Sequence, residues 1–192
     1  MPARQPSSRR RSASEPTPGS LADLQEDADP RSAARGIALR RLTAAPRTAH
    51  ELRADLLARG VDASIADEVI DRYLEVGLLD DAAYARMWVT SRARTKGTAR
   101  PVLRQELRRK GIDDAVIAEA LAEVDDEQEI ARARAFVAAR LASTGRLDPS
   151  ARMRRLIGGL MRRGYPAGTA QRIVREALEA EGLHLDNVQI AD

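Results

Sequence analysis

The sequence predicts an all-α fold: a tandem array of three three-helix, helix-turn-helix-like repeats that is elongated and curved. Hydrophobic residues make up 43% of the chain but aromatic residues only 3%, so the core must be aliphatic. Abundant Ala, Leu, Arg and Glu favour helices, and no stretch sustains the alternation of a strand. A helical pattern also recurs at a nearly fixed interval, which is typical of repeat proteins.

The first 30 residues are expected to be a disordered extension. They are rich in Pro, Ser and Arg and hold too few large apolar residues to offset the entropy of ordering. The run Arg9–Arg11 could contact nucleic acid, although such a run is more often a solvated tail.

The first repeat is predicted to span residues 31–79. Pro46 ends its first apolar stripe, and Thr48 with Glu51 has the spacing of a capping box at the start of a second helix. Gly60 follows that helix and is suited to a C-terminal cap. A third helix follows and ends near Gly77.

The pattern of this repeat returns twice. Residues 52–62 match residues 103–113 at an offset of 51, so that Gly60 corresponds to Gly111. A weaker third copy places Gly164 at a further offset of 53. With a helix expected before each copy, the second repeat is predicted at residues 80–125, the third at 126–182 and a tail at 183–192.

Aspartates mark several predicted helix starts. Asp62, Asp80 and Asp148 each precede an apolar helical pattern, and the cluster that begins at Asp125 resembles another start. A carboxylate at such a position accepts hydrogen bonds from unpaired backbone N–H groups and complements the helix dipole. The pair Asp80-Asp81 could instead be a catalytic dyad or a metal ligand, but helix capping is the stronger interpretation.

Composition argues against an enzyme, a metal site or a cofactor. Cysteine is absent, the two histidines lie far apart, and no phosphate-binding glycine loop or nucleophile motif occurs. Neither a secretory signal nor an apolar run long enough to span a membrane is found. These features suit a cytoplasmic protein.

Charge is distributed unevenly, although the formal net charge is only +3. Residues 86–111 hold nine basic residues and one acid, residues 112–129 hold eight acids and no base, and residues 130–163 again hold nine basic residues and one acid. Two basic stretches therefore flank an acidic one. We expect them to form a basic stripe that faces a polyanion or an acidic protein groove.

The candidate binding residues of this basic stripe are Arg92, Arg94, Lys96, Arg100, Arg104, Arg108, Arg109, Lys110, Arg152, Arg155 and Arg162. Arg104 and Arg108 are four residues apart and so share a helical face. Two other interpretations stay open: the acidic helix pairs with the basic ones inside the protein, or the charges are ordinary solvated faces. A stand-alone helix-turn-helix DNA-binding regulator is the alternative function, but an acidic recognition helix would be repelled by phosphates.

Several segments together resemble the RecX family of recombinase regulators. They are Gly77-Leu78-Leu79-Asp80-Asp81-Ala82-Ala83-Tyr84-Ala85, then Val89, Ser91-Arg92, Gly97, Leu103, Glu106-Leu107 and Lys110-Gly111-Ile112. The resemblance covers about residues 33–182 and implies a tandem of three-helix units. The third copy departs most, with Tyr165-Pro166 where the others have Val-Asp or Ile-Asp.

The resemblance also implies a function. It suggests a protein that binds RecA, lodges in the groove of the RecA–DNA filament and inhibits its ATPase and strand exchange, in DNA recombination, DNA repair and the SOS response. RecA and its DNA filament are thus the expected partners, DNA itself is a further candidate, and no cofactor is implied.

Overall fold

The structure, a computed structural model, describes residues 29–183, and these form nine α-helices with no strand. The all-α prediction is confirmed; the proposed disorder of residues 1–28 and the tail beyond 183 lie outside the described residues. The helices are α1 (Pro30–Ala44), α2 (Ala49–Leu57), α3 (Ala63–Glu75), α4 (Asp81–Lys96), α5 (Arg100–Arg109), α6 (Asp114–Ala122), α7 (Asp126–Thr144), α8 (Pro149–Met161) and α9 (Ala167–Ala180). None of these helices has the length and apolarity needed to cross a membrane.

The helices group in threes, and in each group the first helix packs on the third: α1 on α3, α4 on α6 and α7 on α9. The turn after each middle helix has one geometry. Gly60 has a φ of 79°, and the next amide, Val61 N–H, donates to the Leu56 carbonyl at 3.2 Å. The matching turns are at Gly111 (Ile112 N–H to Leu107 carbonyl, 3.3 Å) and Gly164 (Tyr165 N–H to Leu160 carbonyl, 3.2 Å). The predicted glycine caps are therefore confirmed.

Aspartate side chains cap helices at the predicted positions Asp62, Asp80, Asp125 and Asp148, and also at Asp113, which was not predicted. The cap residues and the amides they accept from are Asp62 with Ser64 (2.8 Å), Asp80 with Ala83 (2.7 Å), Asp113 with Ala115 (2.8 Å), Asp125 with Glu127 (2.9 Å) and Asp148 with Ala151 (3.0 Å). Each bond satisfies an amide that has no partner within its helix.

The described residues fall into two compact units. The N-terminal unit comprises residues 29–47 and 51–78, which is most of the first three-helix domain. Its core includes Ile37 from α1, Leu52 from α2 and Val69 from α3, all buried.

A charge cluster lies beside this core. The carboxylate of Asp55 accepts from Arg41 Nε at 2.8 Å and pairs with Arg47 and Arg59 at 3.7 and 3.5 Å. Burial alone would raise the pKa of Asp55, but the hydrogen bond and charge of Arg41 and the charges of the other two arginines outweigh it, so the pKa lies below its usual value.

The C-terminal unit comprises residues 48–50 and 79–183 and contains the second and third domains. The two domains are joined tightly: Ala99 is fully buried in the core of the third domain, and its N–H donates to the Arg163 carbonyl at 2.8 Å. A Cβ on Gly164 would lie 2.8 Å from Val102 Cγ2, so α5 approaches the backbone of the α8–α9 turn closely. A surface formed by both domains of this unit is therefore held in a fixed geometry.

Candidate partner and nucleic-acid interface

Part of the predicted basic stripe is tied into an aromatic cluster on α4 and α5. The indole N–H of Trp88 donates to Glu106 at 2.8 Å, and Arg92 pairs with the same carboxylate at 3.3 Å. The Arg92 guanidinium lies 4.3 Å and the Lys110 ammonium 4.4 Å from the centre of the Trp88 ring, which also stacks on Tyr84. These cation–π contacts fix both cations on the protein surface.

Arg100 pairs with acids of the acidic stretch. It contacts Asp126 and the Val124 carbonyl, and its Nε lies 3.6 Å from Glu129, whose carboxylate also accepts from the Arg100 amide at 3.1 Å. The internal-pairing interpretation therefore holds for this residue.

Arg108 pairs in the same way with Asp114 through two hydrogen bonds of 2.7 and 3.0 Å. This bidentate pair lowers the pKa of Asp114 and raises that of Arg108, in both cases chiefly through the side-chain hydrogen bond. Both side chains are exposed, so the pair adds little stability.

Arg152 does not belong to an exposed binding surface, and this candidate needs correction. Only 6% of the residue is exposed. Its guanidinium donates to the Thr144 hydroxyl at 3.1 Å and the Leu141 carbonyl at 3.0 Å, and it pairs with Glu181. Arg152 therefore joins α7, α8 and the end of α9. The prediction failed because helical spacing alone does not distinguish an inward-facing from an outward-facing arginine.

The remaining six candidates are exposed and have no ion pair with another described residue: Arg94, Lys96, Arg104, Arg109, Arg155 and Arg162. Desolvating an unpaired guanidinium is unfavourable unless an anion replaces the water. These six are therefore the candidates that remain available to a negatively charged partner.

Three of them meet in a cavity of about 620 Å³ between the second and third domains of the C-terminal unit. Six basic side chains line it, and we call it the cationic cleft: Arg94, Lys96, Arg132, Arg140, Arg162 and Arg163. The one acid in its wall, Glu106, is already engaged by Arg92 and Trp88.

Phe136 organises one wall of the cationic cleft. The guanidinium carbons of Arg140 and Arg163 each lie 3.8 Å from the centre of its ring. Arg163 is further fixed by bonds to the carbonyls of Lys96 (3.2 Å) and Gly159 (3.0 Å). Burial, with the charges of Arg140 and Arg162, lowers the pKa of Arg163.

Arg132, Arg140 and Arg163 were missing from the residues selected by sequence. A signal for two of them existed, because Arg132, Phe136 and Arg140 are spaced by four and must share one face of α7. Nothing in the sequence places that face opposite Arg163, which lies in the turn after α8.

The acids that could have suggested an active site have structural roles. Asp80 caps α4, and Asp81 accepts from the Ala49 amide at 3.0 Å. Among residues 29–183, no group of three or more His, Cys, Asp or Glu side chains is placed to hold a metal ion.

Comparison with known proteins agrees with this architecture. Family models described as the first, second and third three-helix domains of RecX match residues 34–72, 80–121 and 126–174, in that order. The fold is also similar to the crystal structure of RecX from Lactobacillus salivarius, with a TM-score of 0.70 and 21% identity over 81% of this chain and 97% of that one. The chain is thus a tandem three-helix-repeat protein.

Its relatives specify the family. The chain is 47% identical over 154 residues to the regulatory protein RecX of Streptomyces coelicolor, covering 80% of this chain and 82% of that protein. It is 40% identical over 183 residues to the regulatory protein RecX of Mycolicibacterium smegmatis, covering 91% and 96%. The chain belongs to the RecX family, and both of these relatives are named regulatory proteins.

Proposed function

We propose that this protein binds RecA and the RecA–DNA filament in the cytoplasm and inhibits filament ATPase and strand exchange during DNA recombination and repair, as part of the SOS response. The observation that carries the proposal is the ordered match to all three RecX domains across residues 34–174. The unpaired cations of the basic stripe support it, since a filament presents phosphates and protein carboxylates along its length.

The decisive measurement is RecA ATPase on single-stranded DNA with increasing amounts of this protein. We expect ATP hydrolysis and strand exchange to fall as the protein approaches the RecA concentration. Unchanged ATPase and strand exchange at stoichiometric protein would contradict the proposal.

A double charge reversal tests the stripe within that assay. Arg104→Glu with Arg109→Glu removes two exposed cations of α5 that carry no ion pair in the described chain, so helicity should be unchanged and the inhibitory concentration should rise about tenfold or more. The matched control is Arg146→Glu with Arg175→Glu, which changes the net charge equally at exposed positions of the third domain. Equal loss in both variants would show that only net charge matters.

The alternative of a stand-alone DNA-binding regulator is disfavoured by α6. This helix follows the Gly111 turn, where a recognition helix would lie, yet Asp113, Asp114 and Glu119 are all exposed on or beside it. Phosphates would repel such a surface. Tight binding to one duplex sequence without RecA would favour the alternative.

A further inference from the structure

The cationic cleft holds more positive charge than its surroundings neutralise. None of its six basic side chains forms an ion pair with another residue in the described range, whereas Arg92, Arg100 and Arg134 of the same unit do. The Nε and Nη2 atoms of Arg132 are buried without a hydrogen-bond partner. A cluster of like charges of this kind favours anion binding, because an anion relieves the mutual repulsion.

The cleft does not end at one depression. A second cavity of about 420 Å³ shares Arg94 and Arg132 with it and is also lined by Arg86 and Glu123. Two of the arginines of the cleft therefore line a second depression as well, and a continuous groove of this kind suits a polymer with repeated charges better than an isolated carboxylate.

The aromatic ring in the cleft is not available for stacking a base. The guanidinium carbons of Arg140 and Arg163 each lie 3.8 Å from the centre of the Phe136 ring, so the surface of the ring is already in cation–π contact. What the cleft offers is guanidinium N–H groups, whose planar forks match phosphate oxygens. Recognition here would follow the backbone and not the base sequence.

From this geometry we infer that the cationic cleft is a binding site for the phosphodiester backbone of single-stranded nucleic acid, without sequence preference. The site acts without RecA, and so it stands apart from the proposed function. It assigns a role to Arg132, Arg140 and Arg163, which lie outside the basic stripe selected from sequence.

The test uses the full chain and a fluorescein-labelled dT oligonucleotide, with anisotropy read over a series of salt concentrations. The cleft variant is Arg140→Glu with Arg162→Glu, two exposed residues that should not disturb folding. The control is again Arg146→Glu with Arg175→Glu. Each Arg→Glu change lowers the formal charge by 2, so both double variants go from +3 to −1.

We expect the cleft variant to bind at least tenfold more weakly at low salt, and its slope of log affinity against log salt to shrink by about 1.4, as loss of two single-strand phosphate contacts requires. The control should retain most of the affinity and the slope, and an oligonucleotide of mixed sequence should bind like dT. Circular dichroism spectra and melting temperatures should match for all three proteins.

Equal weakening in both variants, or no weakening in the cleft variant, overturns the inference. So does a cleft variant that keeps its oligonucleotide affinity while losing binding to DNA-free RecA, since the ligand would then be a protein. The two proposals can fail separately. If oligonucleotide binding depends on the cleft but RecA ATPase is unchanged by the protein, the inference holds and only the proposed function is rejected.

Discussion

Replacing Gly159 with alanine tests how tightly α7 packs on α8. A Cβ at this position would lie 2.9 Å from Cζ and 3.0 Å from Cε1 of Phe136. Carbon atoms pack best at about 3.5–4.0 Å, so the ring would have to retreat by roughly 0.5–1 Å. Arg140 and Arg163 both lie against that ring and restrict its retreat.

The expected energy has two opposing contributions. Alanine is favoured over glycine inside a helix by about 0.8–1.0 kcal/mol. Overpacking costs about 1–3 kcal/mol. The Gly159→Ala protein should therefore range from nearly as stable as the parent to about 2 kcal/mol less stable.

The adjacent glycine supplies a matched control. A Cβ on Gly158 would meet only Nη1 of Arg162, at 3.3 Å, and that atom ends a flexible, exposed side chain. Gly158→Ala should gain the helix propensity without the clash and stabilise the protein by up to about 1 kcal/mol. The two variants should thus differ by about 1–3 kcal/mol, which is the cost of overpacking alone.

Urea unfolding followed by circular dichroism measures this difference, from the transition midpoints at equal denaturant dependence. If Gly159→Ala stabilises the protein as much as Gly158→Ala does, the close contact with Phe136 does not constrain the packing and the reasoning fails.

Two further substitutions test charges inside the fold. Asp55→Asn should lower the stability of the N-terminal unit by about 1–2 kcal/mol at pH 7, because the arginines around it lose their charged acceptor. The folded-state pKa of Asp55 is lowered, so the contribution of Asp55 to stability is complete above its unfolded-state pKa of about 3.9 and is lost as the pH falls through its folded-state pKa. The free energies of unfolding of parent and variant should therefore converge at low pH. A difference in free energy that stays constant with pH would contradict this assignment. Arg152→Ala should cost about 2–4 kcal/mol in urea unfolding by leaving Glu181 and buried acceptors without their donor, while oligonucleotide affinity at 15 °C stays near that of the parent; the reverse pattern would return Arg152 to the binding surface.

Local signals in the sequence predicted the local structure well. A glycine at a helix end requires only its own positive φ, and an aspartate cap reaches an amide two or three residues away, so both are readable without knowing the fold. Gly60, Gly111 and Gly164 all adopt a positive φ in equivalent turns. The match between copies then carried the local assignment to a three-domain tandem, which the fold and the family models confirm.

The placement of charge depended on contacts that no local pattern encodes. Arg100 meets Asp126 and Glu129, which lie 26 and 29 residues further along, and Arg152 meets Glu181. Two arginines of similar local sequence can therefore be neutralised and buried or left exposed, depending on what another helix brings to them. The sequence identified the basic stretches, but it could not show which of their arginines are paired or buried and which are exposed and unpaired.

That division into paired and unpaired arginines explains why an acidic segment and a cationic cleft coexist in one unit. The acids nearest α5 and α7 are used by Arg100 and Arg108, and Glu106 is held by Arg92 and Trp88. None of these carboxylates remains to neutralise the cleft, whose cations come from α4, α7 and the end of α8. A net charge of only +3 is then compatible with a strongly positive site, because attraction for a phosphate at close range is set by unpaired neighbours and not by the sum over the chain.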